Sequence, residues 1–215
     1  MTDTDHVLAP ELLERAARLG SATLHEAAGR IGALPPMIRP VEPSWRIAGP
    51  AHTVATPSGD NLAIHHAIYT AQPGDILVVS TADETAEWGY WGEIMSHAAR
   101  ARGLAGLVLQ GGSRDHAVLP IVGFPVFSLG ACIRGTIKDP RNSGAAGNRS
   151  SSIRIGDIEI ETGDLIVGDI DGVVAIPAGR ASACIDLGIE RETREAGIIA
   201  RLHAGETTLE IYDLA

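Results

Sequence analysis

Aromatic residues are scarce in this chain: two Phe, three Tyr and three Trp, 4% of 215 residues. Its core must therefore be filled mainly by Ala, Val, Ile and Leu, and a hydrophobic content of 45% suffices for one. Cysteine is nearly absent. Cys132 and Cys184 show no CxxC or comparable spacing, so a disulfide scaffold and a cysteine metal site are both unexpected. Positive charge is in deficit, with 17 Lys and Arg against 27 Asp and Glu, a net charge of −10. That balance argues against nucleic acid or an anionic membrane as a partner. No apolar run reaches the roughly 18 residues of a membrane span. The start, MTDTDHVLAP, has neither a basic nor an apolar targeting region, so a cytoplasmic protein is expected. GxGxxG, GxxxxGK followed by Ser or Thr, GxSxG and HExxH are all missing, which removes nucleotide-loop, serine-hydrolase and zincin chemistry.

What is present centres on residues 92–115, GEIMSHAARARGLAGLVLQGGSRD. Ile94, Ala98 and Ala101 recur at helical spacing and are read as the buried stripe of a helix opened by Glu93. Gly103 suits the position just past its end. Leu104 to Leu109 reads as a buried strand, broken by Gly111-Gly112-Ser113. A tight turn makes helix and strand antiparallel, so the helix start and the loop after the strand meet. Glu93 should then approach Arg114 and Asp115, beside the free N–H groups near Ile94 and Met95. Such a cluster offers carboxylates to a hard cation and a helix start to an anion. The same residues also make an ordinary capped helix with a surface ion pair, and spacing alone leaves both readings open.

The remainder reads as one domain over 1–215. A helix over Pro10–Leu19 ends at Gly20, and Ser21 caps a second one. Residues 32–43 are a loop and 46–56 a strand. Residues 58–61 form a turn that caps a helix from about Leu62 to Thr70, and 76–80 is a strand. Thr81–Tyr90 is a loop, 124–127 a strand, 133–138 another, and 139–152 the most loop-like stretch. Gly-Asp turns divide 153–177 into short strands, and 178–203 is a long helix with weak points at Gly188 and Gly197. Alternating helices and strands followed by a strand-rich part give an α/β layered fold.

Glu93, twenty intervening residues and then Arg114-Asp115 resemble the D-x20-R-D signature of the class II pyruvate aldolases. This is the 4-hydroxy-4-methyl-2-oxoglutarate / 4-carboxy-4-hydroxy-2-oxoadipate aldolase family, which shares its fold with RraA-type regulators of ribonuclease E. GDNLAIHHAI at 59–68, PGDILVV at 73–79, GFPVF at 123–127 and GDLIVGDIDGVVAIP at 163–177 are similar to it as well. Glu93 departs from the signature, which has Asp there; the longer arm leaves direct and water-mediated metal contact both open.

The resemblance implies a single-domain ββα swivelling-type (RraA-like) sandwich with a C-terminal helix, assembled as a homotrimer or homohexamer. It implies Mg²⁺ or Mn²⁺ on Asp115, assisted by Glu93 through water, and a small 2-oxo acid as substrate. Gly92, Glu93, Ile94, Met95 and Arg114 would bind that substrate. Asn61, otherwise a simple helix cap, would lie near the site. Glu195, otherwise a solvated helix residue, would approach a neighbouring subunit's site. His116 is placed at the pocket mouth. Arg134 and Lys138 are either site cations or surface cations. His97, at i+4 from Glu93, reads as an exposed helix histidine, and His65-His66 point apart on a helix. The activity implied is retro-aldol release of pyruvate with oxaloacetate decarboxylation alongside. A non-catalytic regulator, or a lyase for another 2-oxo acid, are the other readings.

Overall fold

The computed structural model describes residues 8–82, 85–143 and 151–214. In chain order these form α1 (Pro10–Ala27), β1 (Arg39–Pro40), β2 (Ile47–Thr56), α2 (Leu62–Thr70), β3 (Ile76–Thr81), β4 (Gly89–Trp91), α3 (Glu93–Ala101) and β5 (Gly106–Ser113). There follow α4 (Leu119–Val122), β6 (Val126–Ala131), β7 (Ser152–Ile155), β8 (Ile158–Glu161), β9 (Leu165–Asp169), β10 (Gly172–Ile176), α5 (Ala181–His203) and α6 (Thr208–Ile211). The main sheet runs β1-β6-β5-β3-β2-β9-β10, with β4 added on β5, and β7-β8 is a separate hairpin. The β2-β3-β5-β6 centre is parallel, while β9 and β10 return antiparallel beside β2. All of β5 is buried and β3 is nearly so, which is why both read as unbroken apolar runs rather than alternating ones. This is the expected α/β domain with a C-terminal helix.

Three apolar clusters hold it. Ile64, Ile68, Met95 and Ala99 of α2 and α3 pack on one face of β3 and β5. Ile153, Ile155 and Ile160 of the hairpin cover the other face. Leu19 and Leu24 of α1 and Ile185 of α5 close over β9 and β10.

Several expectations change. The buried face of α3 carries Met95, Ser96 and Ala99, whereas Ile94 is 78% exposed and Ala98 is also exposed. The proposed stripe lay on the wrong face because Ser96, polar by composition, is buried by donating to the Gly92 carbonyl and accepting from Trp91 Nε1. Gly111 and Gly112 do not break β5, which continues to Ser113 with a bulge. They are glycines because β4 lies against them: a Cβ on Gly111 would sit 2.9 Å from the Tyr90 ring, and one on Gly112 2.7 Å from the Trp88 carbonyl. The end of the expected Thr81–Tyr90 loop is this strand β4. The expected strand at 133–138 is instead a strap with isolated bridges from Gly135 to Gly89 and from Ile137 to Asp60. Gly188 is no weak point; it is buried where a Cβ would meet Leu19 at 2.9 Å. The expected fraying at 1–8 lies outside the described residues up to residue 7, as does the 144–150 part of the loop-like stretch.

The break expected at Gly20 is present, with φ 79° and ψ 170°. The cap of the helical turn after it is not Ser21 but Asp169, at the end of β9. Its carboxylate accepts from Ser21 N (2.7 Å), Ser21 Oγ (2.6 Å) and Asp171 N (3.0 Å). Capping from so distant a position leaves no local sequence signal. Asp169→Ala should lower the unfolding free energy by about 1–3 kcal/mol, since buried donors lose their acceptor. Urea denaturation checks this, and a loss below about 0.5 kcal/mol, typical of a neutral surface change, would show the cap to be dispensable.

Candidate functional site

Parallel strands leave a crevice beyond their carboxyl ends, and here the end of β5 meets the start of α3. Arg114 and Asp115 directly follow β5. The Arg114 N–H donates to the Trp91 carbonyl (2.9 Å), which fixes the turn beside β4. Asp115 has φ 61°, an uncommon conformation for a residue with a side chain. It is held there from the other side as well. His116 Nε2 bonds to Ser113 Oγ (2.8 Å), which bonds in turn to Ser128 Oγ (2.8 Å), and Val118 N and Leu119 N donate to the Asp115 carbonyl.

The Asp115 carboxylate therefore turns back onto the start of α3. Its Oδ2 accepts from Glu93 N at 2.9 Å and lies 3.8 Å from Arg114 Nε. Glycine at position 92 leaves room for this contact, since a Cβ there would press on Asp115 Oδ2 and on the Arg114 side chain. The first N–H groups of a helix have no intrahelical acceptor; Glu93 gives its own to Asp115, and those of Ile94 and Met95 follow at the cleft wall.

The cleft is about 220 Å³ in volume. It is lined by Gly92, Glu93, Ile94, Met95, Arg114 and Asp115, together with Asn61, His65 and Lys138. Glu93 and Asp115 side chains keep 44% and 40% of their exposure, so both carboxylates remain accessible. Among the described residues, no three His, Cys, Asp or Glu side chains group closely enough to enclose an ion. Two accessible carboxylates with room for water suit a hard cation that keeps much of its hydration, which is the habit of Mg²⁺.

Asn61 is 5% exposed. Its Nδ2 donates to the Tyr90 carbonyl (2.9 Å) and to Met95 Sδ (3.4 Å), and its side chain does not cap α2. A flipped amide would set two oxygens face to face at Tyr90, so the orientation is fixed. Its buried Oδ1 has no partner, a state that costs about 1–3 kcal/mol.

Other expected residues fall outside the cleft. His116 is not at its mouth but braces the turn through Ser113. Burial holds its pKa below the usual histidine value, against the raising effects of the Ser113 bond and Asp115. His97 is exposed and sits 4.0 Å from Glu93 Oε1. Arg134 stacks over Trp88 at 3.8 Å and pairs with Glu87, so of the two candidate cations only Lys138 reaches the cleft. Glu195 pairs with Arg191 (2.8 Å) on α5, away from this cleft in the single chain. Sequence reasoning did not choose His65 and left Lys138 open between site and surface. His65 follows Asn61 by one helical turn, which is a usable signal. Periodicity gives none for Lys138, because the strap that positions it is neither helix nor strand.

The family model described as RraA-like, Aldolase/RraA, matches residues 10–175. A Halalkalibacterium halodurans protein named "Putative 4-hydroxy-4-methyl-2-oxoglutarate aldolase" is 37% identical over 66% of this chain, a match spanning 65% of that relative. Among solved structures, an uncharacterized protein from Pseudomonas syringae pv. tomato superposes with a TM-score of 0.81 at 27% identity, covering 100% of this chain and 99% of that one. Streptomyces coelicolor RraAS2, described as an unusual member of the RNase ES inhibitor RraA protein family, gives 0.74 at 25% identity, covering 88% and 96%. With most of its length matched by the family model and its sheet shared with these structures, the chain belongs to the RraA-like (Aldolase/RraA) family.

Proposed function

We propose that the protein is a divalent-metal-dependent lyase that cleaves 4-hydroxy-2-oxo acids of the 4-hydroxy-4-methyl-2-oxoglutarate type to pyruvate, with oxaloacetate decarboxylation as a side activity. The observation that carries this is the convergence of the Asp115 carboxylate, the Arg114 guanidinium and the start of α3 on one cleft. The name of the 37% identical relative supports the same reaction class.

Asp115, with Glu93 acting through water, would hold Mg²⁺ or Mn²⁺. When bound, such an ion supplies Lewis-acid polarisation of the 2-oxo acid oxygens. The chain's own groups do the rest. The Ile94 and Met95 N–H groups receive the substrate carboxylate at the positive end of the helix. Arg114 donates to the keto oxygen, where negative charge grows as the carbon–carbon bond breaks. The C4 hydroxyl gives its proton to a water or carboxylate at the cleft mouth. Loss of carbon dioxide from oxaloacetate develops the same charge, so the same donor serves. The reading includes a cytoplasmic homotrimer or homohexamer in which Glu195 of one subunit approaches the next subunit's cleft.

A non-catalytic regulator of the RraA type is the second reading, favoured by the likeness to RraAS2. The presence of both Arg114 and Asp115 at the cleft favours the lyase.

Asp115→Asn should abolish most turnover at limiting Mg²⁺ while the protein stays folded, because a neutral amide is a much weaker ligand for a hard cation. Comparable turnover in folded Asp115→Asn rules out the assigned site. Glu93→Gln should weaken metal affinity more mildly, roughly 10–100-fold. A metal titration with the reverse ranking would make Glu93 the direct ligand.

Arg114→Ala should lower kcat by roughly 10²–10³-fold, with Arg114→Lys recovering only part of it, since a point charge does not reproduce the guanidinium fork. Some rise in KM should accompany this, because the guanidinium also touches the bound keto group. The assay is oxaloacetate decarboxylation at saturating Mg²⁺. Equal rates for wild type, both variants and Mg²⁺ alone remove the lyase reading for this substrate.

A further inference from the structure

Three side chains behind the cleft form a row that the reaction above does not use. Ser128 of β6 is buried, and so is Ser113, the last residue of β5. Their Oγ atoms lie 2.8 Å apart, and Ser113 Oγ lies 2.8 Å from His116 Nε2. None of the three lines the cleft. Their strands otherwise bury apolar side chains, Val108 and Leu109 of β5 and Val126 and Phe127 of β6. A pair of buried hydroxyls adds little to stability over apolar groups of the same shape. The fold alone therefore gives no reason for Ser128 to be polar.

Its place in the row gives one. A serine side chain has three staggered positions, and a hydrogen bond selects among them. Ser128 supplies that bond from the next strand, and Ser113 passes the constraint to the His116 ring. Each hydroxyl both donates and accepts, so the row is complete with a neutral imidazole. His116 directly follows Asp115, and fixing its ring fixes the far side of the Asp115 peptide. Asp115 has φ 61°, which a residue with a side chain keeps only where its surroundings enforce it. The Trp91 carbonyl holds the near side through Arg114 N. Relaxation on the far side would carry the carboxylate away from Glu93 N, which it now meets at 2.9 Å.

We infer that Ser128 is a positioning residue for the Asp115 carboxylate, acting through Ser113 and His116 from a strand that contributes nothing to the cleft lining. The inference rests on the metal role given to Asp115 above and is independent of the substrate. It makes the strength of the metal site depend on a side chain that touches neither the ion nor its ligand.

The test is Mn²⁺ binding followed by titration calorimetry, which needs neither substrate nor turnover. Ser128→Ala should weaken binding roughly tenfold, the low end of what the outer partners of a metal ligand contribute. Ser113→Ala should cost at least as much. The double variant should bind no more weakly than Ser113→Ala alone, because the two act in one row, whereas general loosening of the fold would multiply the losses. In oxaloacetate decarboxylation Ser128→Ala should raise the Mg²⁺ needed for half-maximal rate by a similar factor and leave kcat at saturating Mg²⁺ little changed, since mass action offsets a weaker site. Ser128→Cys, close in size and a weak hydrogen-bonding group, takes the place of Ser128→Ala if the alanine protein does not fold. Wild-type affinity in the folded variant, or losses that multiply in the double variant, overturns the positioning role. A wild type that binds no Mn²⁺ removes Asp115 as a metal ligand and this role with it. A wild type that shows the effect of the row yet releases no pyruvate from 4-hydroxy-2-oxo acids keeps the role and loses only the lyase reading.

Discussion

The hydrogen bond from the Glu93 N–H to the Asp115 carboxylate, made across Gly92, is the constraint on which the site depends. It joins the first residue of a helix to the second residue past the end of a strand. Neither partner can shift without the other. The bond uses the positive end of α3 to hold a negative group, and it leaves the other Asp115 oxygen and the next two N–H groups of the helix outside this bond, on residues that line the cleft. The left-handed backbone at Asp115 is what allows the carboxylate to turn back. That conformation is enforced by Trp91 on one side and by His116, Ser113 and Ser128 on the other.

Four of the eight aromatic residues support this arrangement: Trp88, Tyr90, Trp91 and Phe124. Trp91 donates to Ser96 and stacks on Phe124 with ring centroids 5.7 Å apart, and Tyr90 accepts from Gly59 N while its carbonyl orients Asn61. Trp88 carries Arg134 on its ring and limits the space at Gly59. These rigid groups lie beside the polar site, where rotamer freedom would be most damaging.

Much of this was legible in the sequence wherever one element carries the signal. The helix–turn–strand unit follows from local periodicity and a glycine, and the meeting of Glu93 with Arg114 and Asp115 follows from antiparallel geometry alone. The failures share a cause. Ser96 is buried because of Trp91 and Gly92, the strand through Gly111 and Gly112 persists because β4 approaches it, and the second half of α1 is capped by Asp169. Each depends on a partner from another element, and periodicity reports only the element itself. The strap over 132–139 was misread for the same reason: its hydrogen bonds go to residues scattered over Gly59, Asp60, Gly89 and Ser113 rather than to one partner strand.

The strap ties together parts of the molecule that are otherwise separate, and this has a consequence for how the chain can diversify. Every residue lining the cleft falls between Asn61 and Lys138, whereas α1, β9, β10 and α5 pack as a cluster of their own. Within the single chain none of the cleft lining comes from that outer layer, so the layer bears on the cleft only through the approach proposed for Glu195 of a neighbouring subunit. The strap's backbone, by contrast, is held by hydrogen bonds that do not depend on the Lys138 side chain. Substitution at this one exposed position therefore changes the charge at the cleft wall while the strap keeps its course.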